Sequence, residues 1–278
     1  MHTLFVSFLL TFLFAACAVV PTPAERRVHA DELAAAHGWQ AEPLTASQFE
    51  LMTYIPRVIL RRERLTIYIE GDGLAWLDPV TPSSDPTPRD PLALRLALVQ
   101  TEGNAAYLAR PCQYGNARQD GCTERYWTDA RFAPEVVAAS SLAVDKLKAR
   151  FGALQLTLVG YSGGGAIAAL LAARRNDVSD LVTVAGNLDH RAWTTHHRVT
   201  PLNRSLNPAD DIEKLDGIRQ IHFVGPADRI VPPWLTLNYV EHFSGTQRPV
   251  VKQIEGFDHV CCWGRIWPEL LREAALPM

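Results

Sequence analysis

The residues best suited to chemistry are Gly160-Tyr161-Ser162-Gly163-Gly164, which fit the pattern G-x-S-x-G. The pattern alone arises by chance in roughly one chain in ten of this length, so its flanks must carry the argument. Residues 156–159, Leu-Thr-Leu-Val, are an apolar β-rich run leading directly into it, and the small apolar residues 164–173 read as a helix leading directly out. A strand that turns so sharply into a helix holds its serine in a strained conformation with the hydroxyl above the sheet, while Gly160 and Gly164 let neighbouring backbone pass closely. The competing reading, a glycine loop cradling phosphate, lacks the lysine and the spacing of a P-loop. Ser162 is therefore a candidate nucleophile.

Such a turn needs a parallel sheet behind it, and the rest of the chain supplies the pattern. From residue 49 onward, β-rich runs at 65–69, 105–109, 156–159, 181–184, 221–224 and 250–254 alternate with helical patterns at 91–100, 133–151, 164–175, 233–243 and 267–275. Residues 49–54 suggest an additional antiparallel edge strand. This alternation predicts an α/β architecture: a mostly parallel, doubly wound sheet flanked by helices. Two stretches interrupt it. Residues 77–91 hold five prolines and predict an ordered but irregular loop. Residues 187–211 show no clear period and predict a lid-like insertion or binding loop. Residues 18–48 read as a helical or loose N-terminal segment preceding a single domain at 49–278.

With this arrangement the chain resembles the α/β-hydrolase superfamily over about residues 49–278. In that family the partners follow in the order serine, acid, histidine, with the acid after a late strand and the histidine after the last one. Asp228 follows the 221–224 run through Gly225-Pro226-Ala227, and His259 follows the 250–254 run through Glu255-Gly256-Phe257-Asp258. The resemblance implies that His259 takes the Ser162 proton and that Asp228 fixes the imidazole tautomer. Asp189 and Asp258 are rival acids. For the oxyanion hole it implies the Gly163 N–H and a second N–H from the loop Glu70-Gly71-Asp72-Gly73: Asp72 by alignment, then Gly71. The Asp72 carboxylate must then point away and bond elsewhere. The implied activity is serine hydrolysis, without a cofactor, of a carboxylic ester, or of an amide or thioester, through an acyl-enzyme. An acyltransferase using the same triad, or a catalytically silent envelope binding protein with this fold, are the alternatives.

Composition narrows the partners. The 278 residues are 47% hydrophobic and 21% charged, as expected of a globular chain, and a formal net charge of −3 with no long basic run argues against nucleic acid. A small-molecule or lipid-like ester is the expected substrate. No Asp, Glu, Lys or Arg precedes Glu25, and residues 4–20 are almost continuously apolar, which reads as an export signal. Phe14-Ala15-Ala16-Cys17 resembles a bacterial lipobox, which implies a lipidated Cys17 after removal of a leader within residues 1–17, anchoring the protein to the membrane and facing the periplasm. Cleavage after Ala18 and an uncleaved anchor are the other two readings.

Export favours disulfides. Cys112 and Cys122 flank a short polar stretch and are the first choice of pair; Cys261 and Cys262 are adjacent, and three connectivities stay open. Metal binding is not expected, since Asp189-His190 and His196-His197 lack metal-ligand spacing. His222, within a strand run, reads as a hydrogen-bonded core or edge histidine, while Trp76 and Trp263, next to the proposed oxyanion loop and His259, are candidates to line an apolar pocket.

Overall fold

The computed structural model describes residues 20–115, 121–245 and 247–274; the export segment and the lipidation of Cys17 lie outside the described residues. Helix α1 (Pro23–Ala36) is closed at its start by Thr22, whose hydroxyl accepts the Glu25 N–H while the Glu25 carboxylate accepts the Thr22 N–H at 2.7 Å. This reciprocal cap satisfies two N–H groups that the helix leaves unpaired. Strands β1 (Trp39–Ala46) and β2 (Phe49–Pro56) form an antiparallel hairpin, with Trp39 opposite Pro56 and Ala46 opposite Phe49. Then follow β3 (Arg64–Ile69), α2 (Leu92–Leu98), β4 (Ala105–Leu108), α3 (Pro134–Phe151), β5 (Gln155–Tyr161), α4 (Gly163–Ala172), β6 (Val178–Val184), α5 (His190–His197), α6 (Ile212–Leu215), β7 (Arg219–Val224), α7 (Pro233–Glu241), β8 (Val250–Gln253) and α8 (Trp263–Glu273).

The strands form one sheet in the order β1-β2-β4-β3-β5-β6-β7-β8. From β4 to β8 neighbouring strands are parallel, and only β1 and β2 run against their neighbours. The loops that leave the parallel strands therefore share one rim, where a parallel sheet with crossover helices binds its ligands. Apolar side chains on the two faces of the sheet build two cores. On one face Leu65, Ile67, Leu156 and Leu158 pack against α3 and α4; on the other Tyr68, Tyr107, Val159 and Phe223 pack against α1, α2 and α8.

Each β-rich run beyond residue 60 is a strand in the structure, and the expected mostly parallel sheet is present. The departures lie where tertiary contacts outweigh local pattern. β1, left unassigned by the sequence pattern, covers the outer side of β2, which is thus second from the edge. Its burial alternates poorly and it contains Pro43, a residue that strands tolerate at sheet edges. Residues 187–211 carry α5 and a 3-10 turn at Pro208–Asp210, and Leu188 and Leu202 of this stretch join the first core. Helix α8 begins at Trp263 rather than at 267 and contains Pro268 internally, because the fully buried Trp263 ring packs on Phe257 and brings the preceding turn into the helix. The proline-rich loop is irregular but fixed: Arg26 of α1 donates to the carbonyls of Asp85 and Thr87.

Cys112 is bonded to Cys122, with Cα atoms 5.6 Å apart, and Cys261 is bonded to its neighbour Cys262.

Candidate active site

Ser162 stands between β5 and α4 with φ 50° and ψ −121°, a conformation that residues with a Cβ rarely adopt. The surrounding glycines make that turn possible. A Cβ on Gly160 would overlap the Gly164 carbonyl, and one on Gly164 would overlap the carbonyls of Ile69 and Glu70 at the end of β3. The Ser162 N–H donates to Val184 O at 3.0 Å and its carbonyl accepts from Gly165 and Asn187, so the strained residue is pinned by both neighbouring segments.

Asp228 and His259 reach this serine from the loops after β7 and β8. Asp228 Oδ1 accepts the N–H groups of Ile230 and Val231, both at 2.8 Å, which leaves Oδ2 directed at His259 Nδ1, also 2.8 Å away. Because a carboxylate only accepts, Nδ1 carries the hydrogen and Nε2 is left as the acceptor. Nε2 lies 3.0 Å from Ser162 Oγ. The Asp228 side chain is 1% exposed and the His259 side chain 10%, so the pair is screened from water while the far edge of the ring opens onto the serine. The arrangement can move a proton from the hydroxyl to the imidazole as the oxygen attacks an electrophile.

The two rival acids are engaged elsewhere. Asp258 Oδ1 accepts the Val260 and Cys261 N–H groups at 2.8 and 2.7 Å, and those bonds hold its carboxyl below the usual carboxylate range. Asp189 caps α5, accepting from Arg191, Ala192 and the Asn207 amide.

The loop after β3 lies on the opposite side of Ser162. Gly71, one of the two candidate donors there, directs its N–H to the Glu70 carboxylate at 2.9 Å. Among the described residues the N–H groups of Asp72 and Gly163 have no hydrogen-bond acceptor. The Asp72 side chain lies against the Cα of Gly163, where a Cβ would overlap the carboxylate. Two arginines hold this carboxylate: Oδ1 accepts from Arg110 Nη1 at 3.1 Å and Oδ2 from Arg131 Nη1 at 2.6 Å. Burial alone would push the Asp72 carboxyl up, but the two guanidiniums outweigh it and hold the group below the usual carboxylate range.

No family model matches this sequence, and no curated protein does. Solved structures do. Est1E from Butyrivibrio proteoclasticus superimposes with a TM-score of 0.58 at 15% identity, covering 84% of this chain and 98% of that one. A serine hydrolase without a lid from Xanthomonas campestris gives 0.55 at 14%, covering 86% and 96%. An alpha-beta serine hydrolase homologue from Coxiella burnetii gives 0.55 at 14%, covering 84% and 95%. The chain has the α/β-hydrolase fold.

Within that fold, several residues with chemical potential take structural places. His222 of β7 is wholly buried, its Nδ1 2.9 Å from Thr183 Oγ1, and burial pushes its pKa down to about 3. His190 is buried beside Phe132, with its rings 6.1 Å apart, while His196 and His197 contact Trp234 and Trp193 on the surface. Trp263 does not line a pocket: its indole is in the core and donates to Asp258 O at 3.0 Å, bracing the turn that carries His259. Trp76 is 39% exposed. The residues that sequence reasoning missed are Arg110, Gln113 and Arg131. Arg110 and Gln113 follow β4 at the same rim of the α/β-hydrolase sheet as Ser162, a positional signal that could have marked them. Arg131 lies in an irregular stretch with no such signal.

Proposed function

We propose that the protein is a serine hydrolase that cleaves a carboxylic ester through an acyl-enzyme on Ser162. The observation that carries this reading is the Asp228–His259–Ser162 relay, 2.8 and 3.0 Å long, and it is supported by the N–H groups of Gly163 and Asp72, which among the described residues have no acceptor. As Ser162 Oγ attacks the ester carbonyl carbon, His259 Nε2 takes the hydroxyl proton, and the carbonyl oxygen gains its negative charge between the two N–H groups. Collapse of the tetrahedral adduct breaks the bond to the alcohol oxygen, which receives the proton back from His259. Water then attacks the acyl-enzyme by the same route in reverse, releasing the acid. Asp228 orients the imidazole and balances its positive charge without taking the proton.

The structural neighbours support this reading: two are described as serine hydrolases or their homologues, and Est1E has been solved with ferulic acid bound. An ester of an aromatic acid is therefore the first substrate class to assay. The apolar N-terminal residues and Cys17 support placing the reaction at the periplasmic face of the cell envelope, with a lipid anchor.

A fluorophosphonate probe tests the function. The folded, oxidised protein is expected to label at Ser162, and Ser162→Ala to lose labelling and at least about 10⁴-fold in ester turnover while keeping its thermal midpoint. A wild-type chain that stays unlabelled beside a control hydrolase would overturn the reading.

A further inference from the structure

Arg110, Gln113 and Arg131 sit outside the relay, yet their polar groups converge on the loop opposite Ser162. Gln113 Nε2 donates to Gly71 O at 2.9 Å, while its Oε1 accepts the Arg110 N–H at 3.0 Å, so one side chain joins the oxyanion loop to the segment after β4. Arg110 then grips the next residue of the loop through Asp72, and its other guanidinium nitrogen donates to the Arg131 carbonyl. Arg131 Nε donates to Thr128 O at 2.7 Å while Nη1 grips the second Asp72 oxygen. The arginine side chains are 5% and 7% exposed. Cys112, between Arg110 and Gln113, has φ 71° and is bonded to Cys122, which ties this segment down.

Resting on the proposed serine-hydrolase reading, we infer that Arg110, Gln113 and Arg131 are positioning residues for the oxyanion hole. They aim the Asp72 N–H beside that of Gly163 and turn the Asp72 carboxylate from an opposing charge into a paired one. The pairing acts with little reorganisation because both guanidiniums are fixed by hydrogen bonds.

The coupling between Asp72 and Arg131 is open to measurement through the fluorophosphonate labelling rate at Ser162, ester kcat and KM, and thermal midpoints. Arg131→Met is expected to lower kcat and the labelling rate by about 10²-fold, with KM changed by less than about threefold, because the stabilisation arises only as charge develops. Arg131→Lys, which keeps a charge but not the two-pronged geometry, should recover part of this loss. Asp72→Asn keeps the backbone N–H and removes the negative charge that Arg131 offsets. In that background Arg131→Met should cost under about tenfold, a coupling expected only of groups that act through one another. Full activity in a folded Arg131→Met protein, or an undiminished Arg131 effect in the Asp72→Asn background, would overturn the inference. Loss confined to the thermal midpoint would also overturn it, by showing a purely structural role. An unlabelled wild-type protein would instead overturn the hydrolase reading, and this inference with it.

Discussion

The two sides of Ser162 are built by different means. On the acid-base side, each polar group is held by its own turn: Asp228 by the N–H groups two and three residues ahead, and the His259 turn by Asp258 and the Trp263 indole. On the oxyanion side the loop after β3 is held by side chains from remote segments, Arg110 and Gln113 after β4 and Arg131 before α3. A turn that carries its own clamps keeps its geometry wherever the strand ends place it. A loop clamped from outside depends on how the whole rim packs, so its failures should be graded rather than complete.

Asp228→Asn would sharpen this contrast most. The amide can still accept the Ile230 and Val231 N–H groups through its oxygen, so the turn should keep its shape. It presents NH₂ to His259 Nδ1, however, which favours the tautomer with the hydrogen on Nε2 and leaves no acceptor for the Ser162 proton. A fall of about 10⁴-fold in kcat is expected with an unchanged thermal midpoint. A fall under about tenfold would break the comparison, because the locally clamped side would not then be the one that sets the proton transfer.

Gly163→Ala probes the other side. The new Cβ would overlap the Asp72 carboxylate and must displace it or the loop that carries it. Because that carboxylate is the one that Arg110 and Arg131 hold, the thermal midpoint should fall as well, and kcat is read on the folded fraction at a temperature well below it. A reduction of about 10²–10³-fold in kcat is expected, in the range of one missing oxyanion donor. The same measurement on Gly163→Ala combined with Arg131→Met should show less than the product of the two single losses, because both act through Asp72.

The same contrast explains what the sequence made legible. Ser162, Asp228 and His259 each follow an apolar run, and their order along the chain matches the order of loops around the rim, so local pattern was enough to find them. Of the oxyanion pair, Gly163 is fixed by its place beside the serine. Asp72 comes ahead of Gly71 by alignment, and the Glu70 carboxylate on the Gly71 N–H, which supports that order, carries no signal in the sequence. Arg131 carries no local signature, and its role arises only when β3, β4 and the stretch before α3 come together. β1 was hidden for a related reason: as an edge strand with one proline it lacks a clean alternation, and its place is set by pairing with β2. α5 is short and polar, and its start depends on a capping side chain rather than on an apolar stripe.

Glu70 gives the smallest and most pH-dependent effect, at the junction of β3 and the oxyanion loop. It is 1% exposed, and burial pushes its carboxyl up to about 7 even though the Gly71 N–H bond favours ionisation. A carboxyl whose pKa is higher in the folded chain than in the unfolded one, here about 7 against a reference of 4.5, contributes stability that is complete below pH 4.5. That contribution declines as pH rises through 7, at up to about 1.4 kcal/mol per pH unit inside the window. Glu70→Gln keeps an oxygen for the Gly71 N–H and cannot ionise, so it should remove this slope. Urea midpoints at pH 5 and pH 8 would measure it: the variant should gain on the wild type at the higher pH, with a kcat change smaller than in either variant above. Equal pH slopes in the two proteins would show that Glu70 stays in one protonation state throughout. The externally clamped loop would then hold its shape independently of pH.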